Sequence, residues 1–280
     1  MTLRRKLKKK TGKIVIVLAL SILLIVHMLP VAIMLLNSLR STEAIQKTLI
    51  RFPEAASFDN FIKAWTQGDY LQAYLNNIII GGCAAVVVML FTALAAYGVT
   101  KLNIFGKSFF EGYFMVAISI PAFAVMVPLY YIFYNLNLVN NYLGIILIFC
   151  ASNIPFCFMF VKAFFVGISK EIEEAAKIDG CNEVRSFVYV IAPNAKPIFL
   201  TVLLIVFVNV WNEFMFSNTF LQSEEIRTVA LRFYRFVSKF SMDLGMVFAA
   251  GCISIVPIIV VYLLLQNMFI EGFTSGSVKG

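Results

Sequence analysis

Six apolar stretches, separated by polar segments, dominate the pattern of hydrophobic and polar positions along this chain. Each is nearly free of charge, and most approach the 20 or so residues that a helix needs to cross a bilayer. Continuous apolar runs of this kind favour helices over barrel strands, which need only about 9–11 residues of alternating pattern. The pattern predicts transmembrane helices near residues 14–36, 75–99, 112–133, 142–161, 198–210 and 244–265.

The fifth stretch is the least regular of the six. It continues toward Phe216, but its end contains Asn209, Asn212 and Glu213. Polar and acidic side chains are costly inside a bilayer, so this span is predicted to be either short or broken. Glu111 and Glu213 are the acidic residues closest to the spans, and both are predicted to lie near span ends, where they can reach water.

The composition agrees with a membrane protein. Hydrophobic residues make up 61% of the 280 residues and charged residues only 14%, whereas soluble domains carry about 25% charged residues. The polar surface is too small to cover a soluble globule. The first stretch is also too long for the apolar core of a signal peptide and lacks a small-residue cleavage site after it, so it is predicted to be a retained span.

The net charge of +8 carries information about orientation. Seven basic residues and no acidic one precede the first span, and 15 of the 23 Lys and Arg residues fall on the side of the N-terminus. Basic residues accumulate on the cytoplasmic side of membrane proteins. We therefore predict a cytoplasmic N-terminus and, with six spans, a cytoplasmic C-terminus. The basic cluster is interpreted as a membrane anchor, so no nucleic-acid partner is expected.

No catalytic or metal site is visible in the sequence. The five cysteines are scattered, and the single histidine, His27, cannot build a metal site alone. Gly106-Lys107-Ser108 ends like a phosphate-binding loop, but Lys101 stands where the earlier glycine is required. The chain is thus predicted to be no enzyme and to bind no cofactor of its own.

The longest loop on the predicted cytoplasmic side, residues 168–197, has the pattern of two short helices around an elbow. Ser169 is placed to cap the first helix, and Gly180 to adopt the left-handed conformation that ends it. Asn182 can cap the second helix, which is predicted to run through Phe187 until Pro193 stops it. Phe187 and Val188 are candidates for a surface that faces a partner. The alternative is a hairpin that lies on the lipid headgroups.

The spacing in this loop resembles a known motif. Glu174-Ala175-Ala176, three residues, Gly180, nine residues and then Val190-Ile191-Ala192-Pro193 is similar to the EAA loop of ATP-binding-cassette (ABC) importer permeases. Val190 and Ala192 replace the family's Ile and Leu, which changes size but not polarity. We call residues 168–197 the EAA loop.

Other segments resemble the carbohydrate branch of that family, the MalG-like permeases of maltose-type importers. They are Phe58-Asp-Asn-Phe61 with Leu75-Asn-Asn-Ile78, Ala95-Ala-Tyr-Gly-Val-Thr-Lys101, the prolines Pro121 and Pro128, Trp211-Asn212, and the tail from Phe269 to Gly280. The resemblance extends from about residue 14 to the last residue.

The resemblance implies an all-α integral membrane protein with six transmembrane helices, both termini cytoplasmic and the type I ABC importer permease fold. Its parts would be a basic segment at 1–13, the permease domain at 14–270 and a tail at 271–280. It would lie in a bacterial cytoplasmic membrane as a multi-pass protein. Its partners would be a second, homologous permease, two ATP-binding subunits that hold ATP and Mg, and an extracellular or periplasmic solute-binding protein.

The resemblance also assigns roles to residues of this chain. Those that couple to the ATP-binding subunits would be Glu174, Ala175, Ala176, Asp179, Gly180 and Phe187, and the tail would reach the same subunits through Gly276, Lys279 and Gly280. Polar and aromatic side chains that could line a sugar path are Tyr130, Tyr131, Asn209, Trp211 and Asn212, with helix packing as the alternative role.

The expected function is a permease subunit of an ATP-driven importer that moves a sugar, of di- or oligosaccharide size, from a binding protein into the cytoplasm. One alternative is an ABC permease for another small solute, such as an amino acid, phosphate or a polyamine. Others are a carrier or channel that needs no ATP, and a scaffold for the ATP-binding subunits that transports nothing.

Overall fold

The structure is a computed structural model that describes residues 3–54 and 56–275, with side chains for 13–54 and 56–266. All regular structure in the described residues is helical. The α-helices are α1 (Leu3–Ser38), α2 (Thr42–Lys47), α3 (Asp59–Gly68), α4 (Tyr70–Lys101), α5 (Lys107–Ser119), α6 (Met126–Asn135), α7 (Tyr142–Gly167), α8 (Lys170–Ile178), α9 (Glu183–Arg185), α10 (Ala192–Asn194), α11 (Lys196–Asn212), α12 (Met215–Phe220), α13 (Val229–Phe240) and α14 (Leu244–Ser275).

Four helical segments are long and apolar enough to cross a membrane by themselves: Lys13–Ser38, Tyr70–Lys101, Tyr142–Gly167 and Leu244–Gln266. Two bent helix pairs pass the same test when each pair is taken as one span. The described residues therefore hold four spans, or up to six, and the prediction of an all-helical membrane protein is confirmed.

The third predicted span is not one continuous helix. Helix α5 ends at Ser119, a 3-10 segment follows at Ala122–Val125, and the two halves are bent by 89°. The cause is Pro121, since a proline disfavours helical geometry at the residue before it. Ile120 accordingly has an extended backbone with φ −80° and ψ 120°. The paired prolines Pro121 and Pro128 predicted a kinked helix over 112–133, and the structure has two helices that meet at a sharp break.

The fifth span was predicted to be either short or broken, and the structure shows that it is broken. Helix α11 ends at Asn212, and the short helix α12 begins at Met215. The carboxylate of Glu213 accepts hydrogen bonds from the backbone amides of Phe216 and Ser217 at 2.7 and 2.9 Å. The acidic residue therefore caps the second helix, because the first amides of a helix have no partner within it.

The chain divides into two compact units, each with its own contacts. The first runs to Gly68 and includes Phe233–Ile255, and the second comprises Asp69–Arg232 and the chain from Val256 onward. In the first unit, the short helices α2 and α3 were not expected from the sequence. Arg40, which is 5% exposed, holds the chain around α2 through hydrogen bonds to the carbonyls of Thr48 and Ala44.

The core of the second unit lies where α4 packs against α7 and α11. Ala84, Val88, Phe158 and Val206 are among its fully buried side chains. Small residues on α4 allow close approach, as is common between helices in membranes. A Cβ added to Gly81 would lie 3.1 Å from the Phe207 ring of α11. This three-helix core is the support on which the EAA loop rests.

Candidate functional site

The first helix of the EAA loop, α8, begins as predicted after Ser169. This residue has the extended backbone of an N-cap, with φ −65° and ψ 146°, but its hydroxyl makes no capping hydrogen bond. The first turn instead contains Glu171 and Glu173, whose negative charges stabilise the positive end of a helix dipole. The predicted start is thus correct in position, while the hydroxyl does not have the expected role.

The elbow at Gly180 is a Schellman turn. Gly180 has φ +79°, the left-handed conformation that favours glycine. Its amide donates to the Lys177 carbonyl at 3.0 Å, and the amide of Cys181 donates to the Ala176 carbonyl at 2.9 Å. These two hydrogen bonds are the pair that defines the motif. The left-handed conformation predicted for Gly180 is confirmed.

The second helical segment starts as predicted but does not end at Pro193. The side chain of Asn182 accepts a hydrogen bond from the Arg185 amide at 2.9 Å, which confirms its cap. A π-helical turn follows at Ser186–Ile191, and it closes when the Ala192 amide donates to the Phe187 carbonyl. Pro193 follows directly in α10, so the helical segment continues through the proline to Asn194. The chain bends later, by 74° between α10 and α11.

The exposed surface of the EAA loop carries most of the residues that the motif singles out. Glu174, Ala175, Asp179 and Gly180 are exposed, whereas Ala176 is buried. Three apolar side chains stand out beside them: Ile178, Val184 and Tyr189 are 86%, 71% and 72% exposed. Acidic and apolar side chains are therefore both exposed on this loop. We call these seven exposed residues the docking face.

Phe187 does not belong to this face. Its ring lies 5.0 Å from the ring of Tyr97, near the end of α4, and packs against the core. Val188 is 48% exposed. Phe187 is half-buried, so the core takes up part of its ring, and its contact with a partner stays a prediction.

Two residues at the end of α4 hold the EAA loop, and sequence reasoning gave them no role in it. The Tyr97 hydroxyl donates to the Glu183 carbonyl at 3.0 Å. The Lys101 ammonium group donates to the Ile168 carbonyl at 3.1 Å and forms an ion pair with Glu173. Both residues fall in the segment 95–101 that resembles the carbohydrate permeases. The sequence motif therefore marked these two residues, but it did not indicate that they contact the EAA loop.

The residues predicted to line a sugar path are only partly brought together. On α11, the exposed Asn209 donates to Asn153 of α7 at 2.9 Å, and the exposed Asn212 donates to the Val208 carbonyl of its own helix at 2.9 Å. Trp211 is only 4% exposed and packs between the rings of Tyr74 and Phe207. This burial agrees with the packing role that was the alternative for Trp211, and a role in a sugar path stays a prediction.

Tyr130 and Tyr131 belong to α6, in the second half of the broken span. Tyr131 is 71% exposed. The Tyr130 hydroxyl accepts a hydrogen bond from the Gln222 side chain at 3.0 Å. The tail residues Gly276, Lys279 and Gly280 lie outside the described residues. Among the residues that are described, no group of three or more His, Cys, Asp and Glu side chains could hold a metal ion.

Comparison with known proteins assigns the family. Residues 88–269, more than half of the chain, match the model of the family described as binding-protein-dependent transport system inner membrane component. The chain belongs to this family of transport permeases. The segment that matches begins in α4 and includes the whole EAA loop and its elbow.

Individual relatives of the permease extend the match over nearly its whole length. The melibiose/raffinose/stachyose import permease protein MelC of Bacillus subtilis is 34% identical over 99% of this chain and 100% of its own. The probable ABC transporter permease protein YurM of the same organism is also 34% identical, over 90% and 83% of the two chains. The trehalose transport system permease protein SugB of Mycobacterium tuberculosis is 29% identical over 90% and 93%.

A solved structure shares the permease fold. It is a chain of a bacterial ABC transporter involved in the import of the acidic polysaccharide alginate, with a TM-score of 0.79 and 24% identity over 94% of this chain and 98% of that chain. The likeness confirms the fold class predicted for the permease, that of type I ABC importers. The permease is therefore a multi-pass membrane subunit of a binding-protein-dependent transport system.

Proposed function

We propose that this permease is one of two homologous membrane subunits of an ATP-driven importer that moves a di- or oligosaccharide into the cytoplasm. Relatives of similar length are named for melibiose, raffinose and stachyose, for arabinooligosaccharides and for trehalose. These names share one chemical class, short sugars linked by glycosidic bonds. A solute-binding protein on the outer side would deliver the sugar.

The observation that carries this proposal is the docking face of the EAA loop. A projecting elbow with exposed carboxylates at Glu174 and Asp179 can form charge-assisted hydrogen bonds with donors on a soluble partner. The exposed Ile178, Val184 and Tyr189 add apolar contact area beside them, and Ala175 allows close approach. This chemistry suits a groove on an ATP-binding subunit, where ATP and Mg would be held. Gly276, Lys279 and Gly280 of the tail would touch the same subunits.

The sugar path would use the exposed amides of α11. Asparagine side chains offer both donors and acceptors, which match the hydroxyl groups of a sugar. Asn209 and Asn212 are exposed and one helical turn apart, and Asn209 is held by Asn153. Tyr131 offers an exposed aromatic ring on α6. Trp211 would act indirectly by keeping α11 in place against α4.

Reconstitution in lipid vesicles tests the proposal. The permease is assembled with its partner permease, the ATP-binding subunits and the binding protein, and uptake of labelled raffinose, melibiose and trehalose is followed with ATP, without ATP and with an ion gradient alone. We expect uptake only with ATP and the binding protein. Uptake driven by the gradient alone would establish a carrier. ATP-dependent uptake of amino acids, phosphate or polyamines in place of sugars would refute the proposal that the cargo is a sugar.

Variants of the docking face test the contact itself. Glu174→Gln and Asp179→Asn remove charge from exposed carboxylates with little change in shape. We expect weaker retention of the ATP-binding subunits during purification and a matching loss of uptake. Glu54→Gln is the control, because the Glu54 side chain is 79% exposed and lies in a different loop. Full retention in both docking-face variants would contradict the assignment of this surface.

A further inference from the structure

Helix α4 is the longest unbroken helix that lies wholly within its unit. It contains 32 residues, which at 1.5 Å per residue gives a length of about 48 Å. No proline interrupts it, whereas Pro155 lies inside α7. The third span is bent by 89° and the helix leading from the EAA loop into α11 by 74°. α4 is therefore the longest helix of this unit that has neither a bend of this kind nor an internal proline.

At one end, α4 contacts both arms of the EAA loop. The first arm is the part before Gly180, which contains α8, and the second arm is the helical segment 183–194 after it. Lys101, with 7% of its side chain exposed, pairs with Glu173 of the first arm, whose side chain is 19% exposed. Tyr97 donates to the backbone of Glu183 and packs against the Phe187 ring, both in the second arm. The two arms are thus fixed to α4 by charge, hydrogen bonding and ring packing at once.

At the other end, α4 holds the segment that follows α12 and includes the first turn of α13, residues 221–232, which we call the 221–232 loop. Asn76 is fully buried, and its amide donates to the carbonyls of Glu225 and Arg227, each at 2.8 Å. The neighbouring Asn77, which is 1% exposed, accepts from the Val229 amide at 2.7 Å.

Further contacts at this end make the attachment to the 221–232 loop rigid. The Asn76 oxygen accepts hydrogen bonds from Tyr142 at 2.7 Å and from Gln72 at 3.0 Å, so both ends of its amide are fixed. Asp69, directly before α4, pairs with Arg232 at 2.9 Å. The loop is therefore held by backbone carbonyls, a backbone amide and a side-chain charge.

The helical structure of the chain that joins the EAA loop to the 221–232 loop is interrupted. Helix α11 links the EAA loop to the 221–232 loop through the chain, but it is bent at its start and broken at Glu213 before α12 begins. A displacement at one end of α11 can be absorbed at either break. α4 has no such break and contacts both regions directly. The two regions are therefore connected mechanically through α4 more firmly than through the chain itself.

We infer that α4 transmits movement of the EAA loop to the 221–232 loop, with Tyr97 and Lys101 as positioning residues at one end and Asn76 and Asn77 at the other. This inference rests on the proposed function, in which the ATP-binding subunits move the EAA loop. Rotation of α4 with the EAA loop then displaces the opposite loop in the same step. The ATP cycle and the outer surface of the permease are coupled by one helix.

The experiment measures sugar imported per ATP hydrolysed in the fully reconstituted complex. Tyr97→Phe removes a hydroxyl and keeps the ring, and Asn76→Leu replaces an amide by an apolar group of similar size. Tyr134→Phe and Asn135→Leu are matched controls, since Tyr134 is 64% exposed and the Asn135 amide bonds only within α6, to the Tyr131 carbonyl. We expect each α4 variant to lower the ratio about fivefold or more, in the range of typical coupling effects, and the controls to leave it unchanged.

The double variant Tyr97→Phe with Asn76→Leu gives the decisive result. The two positions are 21 residues apart on one helix, about 32 Å, and effects at such distances normally add in free energy. If α4 is one transmitter in series, a break at one end makes a second break at the other end harmless. The double variant should then match the worse single variant. Losses that multiply would overturn the inference.

Two further variants separate positioning from mere stability. Lys101→Glu should lower the ratio, and the exchange Lys101→Glu with Glu173→Lys should restore at least part of it. Gln72→Met removes one hydrogen bond to Asn76 and one to the Glu225 carbonyl of the 221–232 loop. It replaces Asn76→Leu in the experiment if that variant fails to assemble. Ratios are measured per assembled complex, so a lower yield alone does not change them.

The outcomes also separate this inference from the proposed function. A wild-type complex that imports no sugar with ATP refutes the proposed function, and the inference with it. A wild-type complex that imports sugar, with α4 variants that keep the wild-type ratio, refutes only the inference.

Discussion

The elbow of the EAA loop offers a perturbation that acts through the backbone alone. Gly180 has φ +79°, and a Cβ placed on it would have no atom within 4 Å. Gly180→Ala therefore adds no steric clash, and its effect is the cost of a left-handed conformation for a residue with a Cβ. That cost is about 1–2 kcal/mol. Gly180→Asn should cost less, because asparagine tolerates this conformation better than alanine does.

A cost of this size shifts the equilibrium between the Schellman turn and other conformations by a factor of about 5–30. Glu174 and Asp179 precede that turn, whereas the exposed Val184 and Tyr189 follow it. A loosened elbow therefore no longer holds the two parts of the docking face in a fixed relation. The expected result is a lower ratio of sugar imported to ATP hydrolysed, in the order Gly180→Asn, Gly180→Ala, Gly180→Val from mildest to most severe. Uptake and ATP hydrolysis are measured in parallel in reconstituted vesicles.

Gly106 provides a matched control within the same chain. It has φ +76° and likewise no atom within 4 Å of an added Cβ, but it lies between α4 and α5. Gly106→Ala carries the same backbone cost without touching the EAA loop, so the import ratio should stay at the wild-type value. Equal losses in Gly106→Ala and Gly180→Ala would show that general backbone strain, and not the geometry of the elbow, causes the effect.

Two predictions concern the stability of the permease. Trp211→Ala should lower the free energy of unfolding by about 3–5 kcal/mol, because the Trp211 side chain is 4% exposed. Asn212→Ala, at an exposed position, should have little effect. Thermal unfolding of the purified variants in detergent compares the two. Gly144→Ala should reduce folded yield sharply, since its Cβ would lie 1.9 Å from the Leu138 carbonyl oxygen. Gly112→Ala is the control, with open space at the added Cβ, and equal yields for the two alanine variants would contradict the steric argument.

Features set by neighbouring residues along the chain could be predicted from the sequence. The cap at Asn182 and the turn at Gly180 depend on groups within about five residues, and both are found in the structure. Four of the spans also follow from apolar length alone. Bilayer thickness fixes the number of apolar residues that a spanning helix needs, so this signal is independent of tertiary packing.

Features set by distant residues could not be predicted in the same way. Phe187 packs on Tyr97, and Trp211 packs on Tyr74. The direction of each side chain therefore depends on a residue of α4 that lies at least 90 positions earlier in the chain. The proline at 121 indicated a kink, but its size of 89° depends on what the two halves pack against. The π-helical turn before Pro193 likewise has no signal of its own in the sequence.

The distribution of breaks among the helices has a physical basis in how each helix is packed. α4 is packed along its length against α7 and α11, with small residues that bring the helices close, so bending it would open several contacts at once. The break at Pro121 lies in a segment whose residues from Pro121 to Val125 are all exposed, where a bend sacrifices little packing. A transporter that changes conformation needs both kinds of element, a helix that moves as a unit and breaks that absorb the movement. The polar residues at the ends of α4 then matter more than their number indicates, because they decide which loops move with the rigid helix and which do not.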